Sequence, residues 1–243
     1  VDLYNKCGGA TWESQHGWLS GDPCAAAWFG VTCDAANTTV LELDLNPATT
    51  VNVLRCELPA SVGNLADLRV LYLSSGLAPS YLHGTLPHSL ARLAKLTCLY
   101  VSHSWLSGPL PSWLGTMRSL RGLMMRRNNF EGPLPASFAS LTDLQHLWFD
   151  SNRHVNGTLA PLAALTRMHT LVGSANYLRG ALPPALCAPS VKHCQLSGDL
   201  PFEPPWSESN HFDCPLPACH KHCDVKHCVN TTAAAPAAAA AAA

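Results

Sequence analysis

The stretch Leu123-Met124-Met125-Arg126-Arg127-Asn128, followed by Gly132-Pro133-Leu134-Pro135, decides how this chain is read. Leu123 and Met125 stand two apart, the spacing that sends both side chains to one side of a strand while Met124 points to the other. Asn128 falls where the strand must bend, and its amide is suited to bond backbone groups left free there. The closing phrase recurs as Gly84-Thr85-Leu86-Pro87, Gly108-Pro109-Leu110-Pro111 and Gly180-Ala181-Leu182-Pro183. Degenerate copies stand at Glu57-Leu58-Pro59, Gly157-Thr158-Leu159-Ala160 and Gly198-Asp199-Leu200-Pro201. The strand residues keep the same beat, with Leu71, Leu99, Leu123, Leu147 and Leu171 separated by 28, 24, 24 and 24 residues. A period in the twenties marks one small unit repeated, each copy burying its apolar side only by stacking on its neighbours.

The expected architecture is therefore an α/β repeat solenoid. Short parallel strands line a concave face, and loose or 3₁₀-like returns form the convex side. Alternation along each strand leaves three outward columns. The middle column reads Asp44, Tyr72, Tyr100, Met124, Trp148 and Val172. Beside it run Asn46, Ser74, Ser102, Arg126, Asp150 and Ser174, then Pro47, Ser75, His103, Arg127, Ser151 and Ala175. The bend position holds Asn128, Asn152 and Asn176, but Ser104, Gly76 and Ala48 earlier, so the N-terminal half is expected to be less regular.

Composition narrows the setting. The net charge is −1 and only 13% of residues are charged, with no basic run, so nucleic acid and lipid headgroups are poor partners. No apolar stretch is long enough to span a bilayer. Of eleven cysteines, nine gather outside the repeats. Cys7, Cys24 and Cys33 precede the first strand; Cys187, Cys194, Cys214, Cys219, Cys223 and Cys228 follow the last. Only Cys56 and Cys98 fall inside the array. Cysteines at solenoid ends point to disulfide-stapled caps made in an oxidising secretory route. Sequons at Asn37, Asn156 and Asn230 agree, so N-linked glycans are the only attached groups expected and no cofactor is. The start at Val1, without methionine or apolar leader, reads as a mature chain whose signal peptide has been removed.

Along the chain this gives an N-terminal cap over 1–39, about six repeats over 40–189, a Cys/His/Pro-rich C-terminal cap over 190–230, and an Ala/Pro tail over 231–243. The tail reads as an extended stalk or as unassigned residues. In the C-terminal cap Cys214, Cys219, Cys223 and Cys228 alternate with His211, His220, His222 and His227. The C-x₄-C-x₃-C-x₄-C spacing lacks the usual zinc knuckle, so disulfides are favoured over a metal, with zinc as the alternative. Cys187 and Cys194 are expected to pair across the last turn. Partners of Cys7, Cys56 and Cys98 are open, and Cys98, in an outward strand slot, is the candidate unpaired thiol.

The repeated L-x-x-L-x-L-x-x-N followed by L-x-G-x-L-P resembles the plant-type leucine-rich repeat family. The phrase Gly21-Asp22-Pro23-Cys24 through Trp28-Phe29-Gly30-Val31-Thr32-Cys33 is similar to that family's N-terminal cap, which implies a Cys24–Cys33 bond. Asn210-His211-Phe212-Asp213-Cys214-Pro215-Leu216-Pro217 resembles a closing phrase of algal and protist members. The resemblance covers about residues 12–201 and implies an extracellular, surface-presenting protein, as in polygalacturonase inhibitors, receptor-kinase ectodomains, algal wall proteins and trypanosomatid surface antigens. It fixes the fold far better than the ligand.

Tyr72, Tyr100, Met124 and Trp148, with His103, Arg126, Arg127 and Asp150 beside them, have the aromatic-plus-arginine composition of interface hot spots. The competing explanation is that adjacent strands simply favour such residues for packing. A protein partner on the concave face is expected, within a surface or matrix assembly, with a receptor ectodomain or secreted inhibitor as the alternative. A glycan ligand fits the same columns. No nucleophile elbow, phosphate loop or His-Glu-x-x-His is present, so no enzymatic activity is expected.

Overall fold

The computed structural model describes residues 1–45, 52–74, 80–152, 154–196, 210–213, 223–224 and 228–229. A first sheet orders Val31–Cys33, Val40–Asp44, Val70–Tyr72, Cys98–Tyr100, Gly122–Met124, His146–Trp148, Thr170–Val172, His193–Gln195 and Cys223–Asp224 in sequence order. All neighbours are parallel except the first pair, where Val31–Cys33 runs against Val40–Asp44. The register places Leu71, Leu99, Leu123 and Leu147 directly beside one another. Each of these leucines, and Leu171 beyond them, is fully buried. Burial of a leucine of this kind contributes roughly 1.5–3 kcal/mol, repeated once per turn of the solenoid.

The Leu-Pro phrase explains the return. Pro59, Pro87, Pro111 and Pro183 stand extended just ahead of 3₁₀ turns at Ala60–Asn64, His88–Arg92, Ser112–Thr116 and Pro184–Cys187. Proline fixes φ and offers a carbonyl but no N–H, so it enters the turn preformed. Its carbonyl then accepts the N–H three residues on, as from Leu90 to Pro87 and from Leu114 to Pro111, both at 3.1 Å. Successive turns pack closely: a Cβ on Gly115 would sit 2.3 Å from the Ser137 carbonyl oxygen. Only glycine fits there.

Between strand and turn lies a ladder of buried amides. The Asn152 side chain donates to the Met125 and Phe149 carbonyls at 3.0 and 2.8 Å and accepts from the Phe130 N–H at 3.2 Å. Asn128 does the same for Val101 and Leu106, and Asn176 for Phe149 and Gly173. Asn210 adds a rung, donating to Gly173 and Leu196 and accepting from Leu178. In the earlier repeat the Ser104 hydroxyl donates to the Ser102 carbonyl at 3.2 Å; Gly76 and Ala48 lie outside the described residues.

A second sheet was not foreseen from the sequence. The segments entering the Gly-x-Leu-Pro phrase and its degenerate copy are themselves strands, at His83–Gly84, Trp105–Pro109, Asn129–Pro133, His154–Gly157 and Tyr177–Gly180, joined by His211–Asp213 and Cys228–Val229, all parallel. Both sheets continue past residue 189. Val191, Cys194 and Leu196, all buried, occupy the apolar slots of one further repeat.

The caps are stapled. Cys24 bonds Cys33, and Cys7 bonds Cys56 across 49 residues of sequence, tying the first helix, Asp2–Lys6, to the first repeat. Tyr4, Trp12, Trp18 and Trp28 pack ring against ring above that end, with centroids 4.9–5.7 Å apart. The expected Cys187–Cys194 pair is corrected: Cys194 bonds Cys223, and Cys187 is engaged in a different disulfide. The reason is register, because Cys194 and Cys223 lie side by side in adjacent parallel strands of the first sheet. That bond also removes Cys223 from the zinc alternative. Cys214, Cys219, His220, His222 and His227 lie outside the described residues, as does the side chain of Cys228.

Candidate recognition surface

The strand register puts Asp44, Tyr72, Tyr100, Met124, Trp148 and Val172 side by side on the first sheet, joined at the end by Gln195. All are half-buried: their backbones are locked in the ladder while part of each side chain faces solvent. Tyr72 and Tyr100 meet edge to face at 5.7 Å. The Arg126 guanidinium lies over the Trp148 ring at 5.8 Å, a cation–π arrangement.

The neighbouring column is not solvated as expected. Ser74, Ser102, Ser174 and Asp150 are all buried, Asp150 to 1% exposure. The chain has already begun to turn at these positions, since the next residues, His103, Arg127, Ser151 and Ala175, all have φ between 52° and 57°. That left-handed step tucks the preceding side chain under its neighbours. Arg126, being longer, reaches out and sets its Nε 3.6 Å from Asp150 Oδ2. Burial raises the Asp150 carboxyl above its ordinary value, and the Arg126 and Arg127 charges oppose that rise. Arg126 Nε and Trp148 Nε1 have no hydrogen-bond partner among the described residues. Together with Val172, Ser174, His193 and Gln195 these groups line a pocket of about 150 Å³.

His193 and Gln195 were missed because the array was expected to end sooner. The signal was present in Val191-x-x-Cys194-x-Leu196, where a cysteine stands in the leucine slot. A fourth outward column, Val70, Cys98, Gly122, His146, Thr170 and His193, completes the face. In it Cys98 is a free thiol whose Sγ donates to Tyr72 Oη at 3.5 Å. That hydrogen bond, with burial, raises the Tyr72 phenol, and burial raises the Cys98 thiol, so both stay protonated at neutral pH.

His103 is pushed down to about 4, first by burial and then by the Arg126 and Arg127 charges. It is therefore neutral at pH 7 and adds no charge to the arginine pair. Between its ordinary value of 6.5 and about 4 the unfolded chain binds a proton that the folded chain refuses. Stability from this residue is complete above pH 6.5 and declines as the pH falls towards 4. His103→Asn, which keeps a residue tolerant of positive φ, should flatten the denaturation midpoint across that window; an unchanged slope would contradict the burial.

Of the sequons, Asn37 is exposed in the turn held by Asp34, whose carboxylate accepts from the Thr38 and Thr39 N–H groups. Asn156 is exposed on the second sheet, and Asn230 lies outside the described residues. Among the described residues no group of three His, Cys, Asp or Glu side chains could hold a metal, and no helix is long and apolar enough to cross a membrane.

This geometry is that of a leucine-rich-repeat solenoid, with a second sheet beside the first. Residues 95–117 match the Leucine Rich Repeat family model. The chain superposes on the PEPR1–AtPEP1 structure with a TM-score of 0.67 at 24% identity, covering 84% of this chain and 26% of that one. It is also similar to the leucine-rich-repeat ectodomain of GASSHO1/SCHENGEN3 from Arabidopsis thaliana, with a TM-score of 0.61, 23% identity, and coverage of 86% and 29%. A plant ice-binding protein gives a TM-score of 0.68 at 21% identity, with coverage of 87% and 62%. The chain thus spans about a quarter of the length of the first of these and under a third of the second.

Proposed function

We propose that this protein is an extracellular, glycosylated, non-catalytic recognition module that grips a protein or peptide partner along its first sheet. The observation that carries this reading is the half-exposed row Tyr72, Tyr100, Met124 and Trp148, with Arg126 laid over the last ring. Rigid aromatic rings on a fixed sheet lose little entropy on binding and offer large contact area. Packing alone would bury them, as it buries the adjacent serines and Asp150. Stapled caps and exposed sequons support the extracellular setting. The GASSHO1/SCHENGEN3 ectodomain, of like fold, is a plant membrane receptor kinase ectodomain solved in complex with CASPARIAN STRIP INTEGRITY FACTOR 2.

His103 and Arg127 set the polar edge of this face and help fix the partner's register, and the buried Asp150 holds Arg126 from beneath. Whether the module serves in a wall or matrix assembly or as a receptor ectodomain turns on its partner. Affinity purification from native extracellular material, repeated with the Tyr100→Ala/Trp148→Ala double variant, tests the reading. A protein retained by the natural chain and lost from the variant supports it. Retention by both, or capture of glycans alone, contradicts it.

A further inference from the structure

The second sheet carries an aromatic pair that the recognition face does not use. Tyr177 is 39% exposed, unusual for so large a ring, and stacks on His154 with centroids 6.5 Å apart and planes 16° from parallel. Asn156 stands in register with Tyr177 on the adjacent parallel strand, about 4.8 Å away by strand spacing. Val155 and Leu178 are buried between, so His154, Asn156 and Tyr177 share one outward face. Asn156 is the acceptor of the sequon Asn156-Gly157-Thr158, and Gly157, at φ +77°, bends the chain immediately beyond it. Pro109, Glu131, Gly132, His154, Asn156 and Tyr177 line a surface depression of about 440 Å³.

We propose that an N-linked glycan on Asn156 is bedded on this sheet, with its first N-acetylglucosamine lying over the Tyr177–His154 stack. The inference rests on the extracellular reading above, since the sugar must come from a lipid-pyrophosphate-linked oligosaccharide of the secretory pathway. In that transfer Asn156 Nδ2 forms a bond to the sugar's anomeric carbon. The carbon–oxygen bond to the pyrophosphate breaks, and the lipid pyrophosphate leaves with the amide proton. The C–H face of the sugar then covers an aromatic surface that would otherwise stay wet. Its acetamido N–H and hydroxyls face the Glu131 side of the depression, where a carboxylate can accept from them. Bedded in this way, the glycan stiffens one end of the second sheet and denies that end to partners.

The test is occupancy by mass spectrometry on protein from its native source, followed by a thermodynamic cycle on secreted protein. Asn156 should be glycosylated. Removing the glycan with Asn156→Gln should lower the melting temperature by about 2–4 °C. Tyr177→Phe should preserve that loss and Tyr177→Ala abolish it, while contacts between sugar and Tyr177 ring protons appear by NMR only where the ring is present. An occupied Asn156 with the same shift in all three backgrounds overturns the bedding. An empty Asn156 beside an occupied Asn37 overturns the proposal and leaves the extracellular reading standing. If both are empty, the extracellular reading falls with it.

Discussion

Asn152→Ala is expected to lower stability by about 3 kcal/mol and the melting temperature by about 6–12 °C. Its amide serves three buried backbone groups at once. The losses are unequal. Met125 and Phe149 carbonyls keep second donors in Asn128 and Asn176, at 3.2 and 3.1 Å. Among the described residues the Phe130 N–H has only Asn152 as its side-chain partner, and without it that N–H is left beside a fully buried ring. A buried N–H without a partner costs more than a hydrogen bond contributes. Asn129→Ala, at an exposed position one residue from the Asn128 rung, should stay within about 0.5 kcal/mol of the natural chain. Equal melting temperatures for the two variants would show that the ladder is not what holds the repeats in register.

Trp148→Ala is expected to weaken partner binding about 30-fold or more, the loss that a central aromatic anchor shows on truncation. Arg126→Ala should cost less alone, because the ring it covers remains. The pair should not be additive. Truncating the ring also frees the guanidinium that lay on it and loosens its 3.6 Å approach to Asp150. The double variant should therefore lose less than the product of the single losses. Binding constants from calorimetry, with circular dichroism showing both variants folded, decide the matter. A threefold effect or smaller at Trp148 would reduce the aromatic row to packing.

How much of this was legible in the sequence differs from residue to residue. The Leu71 to Leu171 beat predicted the first sheet and its register, because each leucine reports only its own neighbours one period away. Asn128, Asn152 and Asn176 announced the ladder for the same reason. The second sheet was not announced. Its strands at Trp105–Pro109 and Asn129–Pro133 contain glycine and proline, which argue against strands until parallel neighbours supply the hydrogen bonds. Asp150 was expected on the solvated face because alternation alone ignores the left-handed step at Ser151. Cys194 was expected to pair with the nearest cysteine in sequence. It pairs instead with Cys223, its neighbour in the sheet, a fact of stacking that spacing along the chain does not contain.

The most direct measurement is hydroxyl-radical footprinting of the protein bound to its natural partner, since both sheets carry oxidisable rings. On the account given, Tyr72, Tyr100, Met124 and Trp148 become protected while Trp105, 59% exposed on the second sheet, oxidises as fast as in the free chain. Protection of Trp105, with the row from Tyr72 to Trp148 still reactive, would move recognition to the other sheet and contradict it.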